Sequence, residues 1–403
     1  MSFNSEPSPS GTVPARRGAN RSAALDFLRF AAAGLVVLYH YQSEGPFPLE
    51  RLSPIFLRGY LVTDLFLILS GYVLGRAYSR QMAARTISDG QFLLRRVLRI
   101  WPAHIAMLTA FAAVIFAAGL AGRAPGHPES FQWSELPAQA FLIHAWAGQG
   151  GGWNLPTWTL SALVVCYAAF PALWRRLSGA GGGLVLFLGG AALVWLADLG
   201  IRQAYGRSIY DLGFNLGVLR AAPLFVFGMC VARAAECGWP RTDWAAGLAL
   251  SAVTGVFALQ SLGRFDLLSI VLLGVIIAAC GQMRMTWGAD LAARAARISF
   301  ALYITHIFVG MLWFNAQRTL VGWLSPAVWE QWVFWACALP VALLVATVFD
   351  RWVDQPMQRG VTRMLRDRTT AGETKTPAAS SPELSSGGDA PLTRRLSTHN
   401  RLS

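Results

Sequence analysis

Ten apolar runs, each close to the length that crosses a bilayer, follow one another along the chain and leave few folds open. They lie near 24–41, 58–75, 98–120, 155–173, 182–200, 216–235, 244–260, 266–282, 298–314 and 328–349. In hydrocarbon a segment must satisfy its own backbone, so such runs are read as helices. Of the 403 residues, 54% are hydrophobic and 14% charged, against about 25% charged in a soluble domain. The expectation is an all-α polytopic membrane protein of about ten transmembrane helices. A transmembrane domain over 23–360 is flanked by tails at 1–22 and 361–403, polar and low in aromatics, which read as mostly disordered and cytoplasmic.

Arginine placement sets the orientation. With the N-terminus inside, the inner segments hold 21 arginines and the outer loops seven. That bias agrees with ten spans and both termini in the cytoplasm. It also accounts for the net charge of +13 without a nucleic-acid partner. The five cysteines form no CxxC pair and sit in or beside apolar runs, as small buried hydrophobes do, so no metal site is expected. The first run has no small-residue cleavage pattern after it and is expected to remain as a span. The longest outer loop, about 121–154, carries His127, Glu129, Glu135, His144 and the Gly-rich GQGGGW. Its LPAQAFLIHAW piece is too short to span; it reads as an interfacial or re-entrant segment, or as plain loop.

Ionisable groups inside apolar spans are costly and mark candidate sites. The first span, ALDFLRFAAAGLVVLYHY, holds Asp26, Arg29 and His40. Arg29 and His40 are eleven residues apart, so a straight helix turns them the same way at about 16 Å separation. His40 is suited to general-base work on an alcohol, or to acylation as a nucleophile. Arg29 either pairs with Asp26 or stabilises developing negative charge. Asp64 is a second charge in apolar context, functional or ion-paired, and the Ser70-Gly71 pair beside it offers a small packing face. Arg95, Arg96 and Arg99 gather at the inner side, with Arg96 and Arg99 one turn apart as a fork for phosphate. Trp101-Pro102 is placed in the first turn of the third span, and His104 is read as packing. Trp158 and Tyr167 carry polar handles at the ends of span four. Ser161 lacks a GxSxG setting. Arg220 opens span six, and His306 sits inside span nine with Tyr303 near it. Asp350 and Asp354 follow the last span and are expected to form local salt bridges.

In order and spacing these pieces resemble the acyltransferase-3 family, from about 22 to 360. The matching stretches are LDFLRFAAAGLVVLYH, DLFLILSGYVLG, RRVLRIWP, WTLSALVVCYAAFP, RAAPLFVFG, ISFALYITH and VDQPMQR. The resemblance implies transfer of an acyl group, usually acetyl from acetyl-CoA, to a hydroxyl of a saccharide or glycolipid at a bacterial inner membrane. It implies Arg29 and His40 as the active-site pair and Arg96 and Arg99 as the grip on the CoA phosphates; the residues themselves add Asp64 to the candidate catalytic groups and Arg95 to the grip. Trp158, Arg220, Tyr303 and His306 are expected to meet the acceptor. Two positions depart from the family pattern: Leu163 stands where a glutamate is usual, and Asp354 where glutamate is commoner. The rival reading is a protein that moves a saccharide or acyl group without making bonds; release of free CoA separates the two.

Overall fold

The computed structural model describes the backbone of residues 16–125, 127–147, 152–263, 265–285 and 288–373, with side chains from residue 23 to 366. Within these, ten long helices carry the ten apolar runs. They are α1 (Arg16–Tyr41), α2 (Tyr60–Ala83), α3 (Asp89–Leu120), α4 (Trp158–Leu177), α5 (Gly183–Tyr205), α6 (Gly217–Glu236), α7 (Ala245–Ser261), α8 (Asp266–Gln282), α9 (Ala289–Leu324) and α10 (Val328–Phe349). Nine candidate spans among the described residues are long and apolar enough to cross a membrane, while α8, at 17 residues, is shorter. No strand occurs among the described residues. The protein is thus an all-helical, polytopic membrane protein.

Several helices outrun their apolar runs. α3 begins at Asp89 because Ser88 and Gln91 form a capping box: the Gln91 amide donates to Ser88 Oγ (3.2 Å) and the Ser88 amide to Gln91 Oε1 (3.3 Å). Pro102 therefore lies deep inside a continuous helix and not in a first turn. A mid-helix proline frees the carbonyl four residues back, here that of Leu98. Gln358 Nε2 takes up that region, donating to Leu98 O (3.4 Å) and Arg99 O (3.0 Å).

The tails also differ from expectation. α1 begins at Arg16, and a further helix, Gln355–Glu373, runs into the stretch expected as tail. A π-helical turn, Asp350–Asp354, precedes it. Met1–Arg359 forms one unit and Gly360–Ser403 a second, described only through its helical residues to 373. Residues 148–151 of the Gly-rich stretch and Arg264 lie outside the described residues.

Packing follows small residues. α2 and α6 touch along the longest contact, and α1 packs on α9 and α9 on α10. A Cβ on Gly71 would run into the carbonyl oxygen of Phe225, and one on Gly228 into that of Ile68. The two backbones approach this closely because glycine leaves room on both sides. Ala338, Ala342 and Ala346 do similar work on α10, fully buried against the α1–α9 pair. Of the cysteines, Cys166, Cys230 and Cys280 are buried, whereas Cys237 after α6 and Cys337 on α10 are exposed, contrary to expectation.

The 121–154 loop folds back along α3. Its two short helical pieces, Leu136–Ala140 and His144–Ala147, lie against helix interiors. Trp101 Nε1 donates to Ala140 O (2.8 Å), and His104 Nε2 bonds Gln139 O (2.8 Å). His104 is sixteen residues before Leu120, or about 24 Å back along the helix. The segment therefore packs along the middle of α3 and does not stand clear of the helices. Ser161 holds the same segment, donating to Leu142 O (2.7 Å) and accepting from the Ala145 amide (3.1 Å). Asn154 Nδ2 then ties its end to Ile304 O on α9 (2.8 Å).

Candidate functional site

The candidate residues sort into three groups. The first is cationic. α3 carries Arg95, Arg96 and Arg99 because its capped start extends the helix below the apolar run. Arg99 Nη1 donates to both Asp354 carboxylate oxygens (3.1 Å each), and its guanidinium lies 5.0 Å from the Phe300 ring centre. The expected local salt bridging of Asp354 is thus a tertiary pair across 255 residues. The π-helical turn places Asp354 there; such turns re-aim side chains and recur at functional sites. Asp350 instead accepts from Gln355 Nε2 (2.7 Å). Arg99 Nε and Nη2 make no bond among the described residues, so one bidentate edge of the fork stays open. Arg96 Nη2 donates to Tyr78 Oη, and its Nε is buried without a partner. Arg95 is exposed and unpaired among the described residues. Arg29 pairs with Asp26 at 3.4 Å, half-buried, and lies within electrostatic reach of Arg99.

The second group is the imidazole pair. His40 near the end of α1 and His306 in mid-α9 have ring centroids 5.1 Å apart, tilted by 40°. His40 is partly exposed and makes no hydrogen bond to a described residue; its other ring contact is Tyr39, at 5.2 Å. His306 is fully buried. Tyr303 lies 6.2 Å from His306 by ring centroids. Its hydroxyl donates to Pro156 O (2.8 Å) and lies 2.7 Å from Thr159 Oγ1, so the protein itself satisfies it. Phe300 and His306 are six residues apart on α9. The rise from the ring under Arg99 to His306 is then only about 9 Å.

The third group is a buried ion pair. Asp64 (0% exposed) accepts from Arg220 Nε (2.8 Å) and Nη2 (3.1 Å). Arg220 Nη1 also donates to Tyr210 O (2.9 Å) and Nη2 to Tyr60 O (3.3 Å). Four of its five N–H groups are thereby used. The Trp158 ring lies 5.7 Å from the guanidinium. Through neighbouring Thr159, α4 joins this group to Tyr303. The sequence gives no sign that Asp64 and Arg220 are partners. The pairing changes Asp64 from a residue expected to act on substrate into one whose two oxygens are already taken. Leu163 is buried in the apolar core one turn beyond Thr159.

Tyr78, Thr159 and Asn154 were not singled out by sequence. Only Asn154 carried a local signal, a polar residue at a Pro-marked helix entry.

An acyltransferase-domain family profile matches residues 22–351. The chain belongs to the acyltransferase-3 family. Among relatives, the acyltransferase MdmB of Streptomyces mycarofaciens is 27% identical over 164 residues, 39% of this chain and 40% of that protein. Protein 2 in the picA locus of Rhizobium radiobacter is 37% identical over 93 residues, 23% of this chain and 45% of that protein. The chain thus matches under half the length of either relative. No solved structure matches this chain. Family and helical architecture together make it a multi-pass membrane protein of the acyltransferase-3 family.

Proposed function

We propose that the protein is an O-acyltransferase that moves an acyl group, acetyl from acetyl-CoA, to a hydroxyl of an envelope or exported saccharide or glycolipid. Its place is the bacterial cytoplasmic membrane. The observation that carries this reading is the His40 ring. It is partly exposed, makes no hydrogen bond to a described residue, and meets His306 on the helix whose Phe300 lies under an arginine fork with an open edge.

The arginine group fits a phosphate-bearing donor. Arg99 keeps Nε and Nη2 free, Arg96 keeps a buried Nε without a partner, and Arg95 is open to solvent. These groups hold the CoA phosphates. Arg29 adds positive charge beside them.

His40 takes the proton of the acceptor hydroxyl. The hydroxyl oxygen forms a bond to the thioester carbon, the carbon–sulfur bond breaks, and His40 returns the proton to the departing CoA sulfur. Asp64 and Arg220 hold α2 and α6 in register, with Trp158 over the guanidinium at the wall of the site.

Purified protein given labelled acetyl-CoA and a saccharide acceptor is expected to release free CoA and label the acceptor. His40→Ala is expected to lower both by about 10²- to 10⁴-fold, leaving a small residual release, while the protein still inserts. Full transfer by that variant would sink the assignment. Movement of a saccharide with no CoA released would favour the transport reading instead.

A further inference from the structure

His306 holds one ring nitrogen in a way that dictates the other. Its Nδ1 lies 2.8 Å from Tyr303 O and 3.2 Å from Leu302 O. Both partners are carbonyl oxygens and only accept, so Nδ1 carries a proton, and in the neutral ring Nε2 is then a bare lone pair. That Nε2 is buried and has no partner. A buried polar atom left unpaired calls for a reason.

The surroundings hold the ring still. Tyr41 Oη donates to the His306 carbonyl (2.6 Å), and Trp335 Nε1 donates to Tyr41 O (2.7 Å). Tyr41 is the residue after His40, so α1, α9 and α10 are clamped at the point where the two imidazoles meet. Gly310 lets the Tyr41 ring lie against α9, since a Cβ there would meet its Cε1 at 2.7 Å.

We propose that His306 is a positioning residue for His40: its Nε2 accepts the His40 ring N–H, fixing the His40 tautomer and aiming its other nitrogen at the acceptor hydroxyl. The proposal rests on the acyl-transfer reading above. A ring nitrogen lies roughly 1.1 Å from the ring centre. With both nitrogens turned onto the line between ring centres, a centroid separation of 5.1 Å leaves about 2.9 Å between them, a normal hydrogen-bond length. The bond is not made in the resting geometry; a turn of the partly exposed His40 ring closes it, and active-site bonds commonly tighten only when substrate binds.

A neutral acceptor suits this setting, because it orients His40 without burying a carboxylate among apolar helices. The proton count closes. The hydroxyl proton passes to the free nitrogen of His40, making an imidazolium whose other N–H still donates to His306. The same proton leaves with the CoA sulfur. His306 begins and ends neutral.

The test uses the full-length protein with acetyl-CoA and a saccharide acceptor. His306→Leu is expected to lower kcat roughly 10- to 100-fold, the size seen when a histidine loses its orienting partner, with KM for acetyl-CoA unchanged. His306→Gln, whose side-chain oxygen falls near the Nε2 position, is expected to recover much of that loss. In a His40→Ala background, His306→Leu is expected to leave residual CoA release unaltered, because residues acting as a unit are not additive. The proposal is overturned if His306→Leu keeps full kcat, if Gln and Leu are equally impaired, or if the losses at 40 and 306 multiply. A wild-type protein that transfers nothing from acetyl-CoA would overturn the acyl-transfer reading itself and this proposal with it.

Discussion

Asp64–Arg220 and His40–His306 both bring ionisable side chains together within apolar helices, and they are built in opposite ways. In the first, two carboxylate oxygens meet two guanidinium nitrogens, and backbone carbonyls of Tyr60 and Tyr210 take further donors. In the second, among the described residues, neither His40 nor His306 Nε2 has a hydrogen-bond partner. A nearly saturated pair has one N–H left to offer a substrate, and its main contribution is a fixed distance between α2 and α6. An unsaturated pair is poor as scaffold, but it keeps donors and acceptors for a molecule that arrives. The arginine group lies between these extremes: Arg99 is half committed to Asp354 and half open.

This contrast is broken or upheld by pairing substitutions. The largest expected effect is His40→Ala. Loss of a general base costs about 10²- to 10⁴-fold, read as CoA release, with thermal unfolding of the purified protein little changed. Asp64→Ala should do the reverse and act on folding. It strands the Arg220 charge in the bundle, and breaking one partner of a buried pair costs about 3–5 kcal/mol. A double replacement, Asp64→Leu with Arg220→Met, removes both charges and should recover most of that stability. If Asp64→Ala left the unfolding midpoint in place but abolished transfer, the carboxylate would be acting on substrate and the contrast would fall.

Next in size is the α2–α6 crossing that the ion pair pins. Gly228→Ala pushes a methyl into the Ile68 carbonyl. Overpacking of this kind costs about 1–3 kcal/mol. Thermal unfolding should register it, and Gly34→Ala, where a Cβ meets nothing within 4 Å, is the matched control.

The ten spans were legible because hydropathy is a local property: a run of apolar residues declares itself whatever it packs against. Helix ends were less so. α9 starts at Ala289, where ADLAARAAR is a strong helix former but too charged to register as a span. Pro102 looked like a first-turn residue because the polar stretch before it hides the capped start at Ser88. For the site, residue types could be read and partners could not. Asp64 and Arg220 are 156 residues apart, and Arg99 and Asp354 are 255 apart. No local pattern links either pair. His40 and His306 each stood out as a histidine in a span, but only the packing of α1 on α9 sets them face to face.

The smallest effects should separate the three α3 arginines by depth, a distinction the sequence does not make. Arg95 and Arg99 are one turn apart, yet Arg95 is exposed and Arg99 is held by Asp354. A solvated cation contributes through screened attraction, whereas a fixed fork contributes directed bonds. Asp354→Ala removes the anchor without removing the fork, so it should raise KM for acetyl-CoA several-fold and leave kcat alone. Arg99→Ala should raise it further, about tenfold or more, since a hydrogen bond to a charged group is worth about 1.5–3 kcal/mol. Arg95→Ala should change it by no more than about twofold at physiological salt, where exposed charges are screened within about 8 Å. Steady-state kinetics at fixed acceptor measure all three. Equal effects at 95 and 99 would mean the phosphates sit outside the helix mouth, reached by charge alone, and that the edge Asp354 leaves open on Arg99 plays no part in holding the donor.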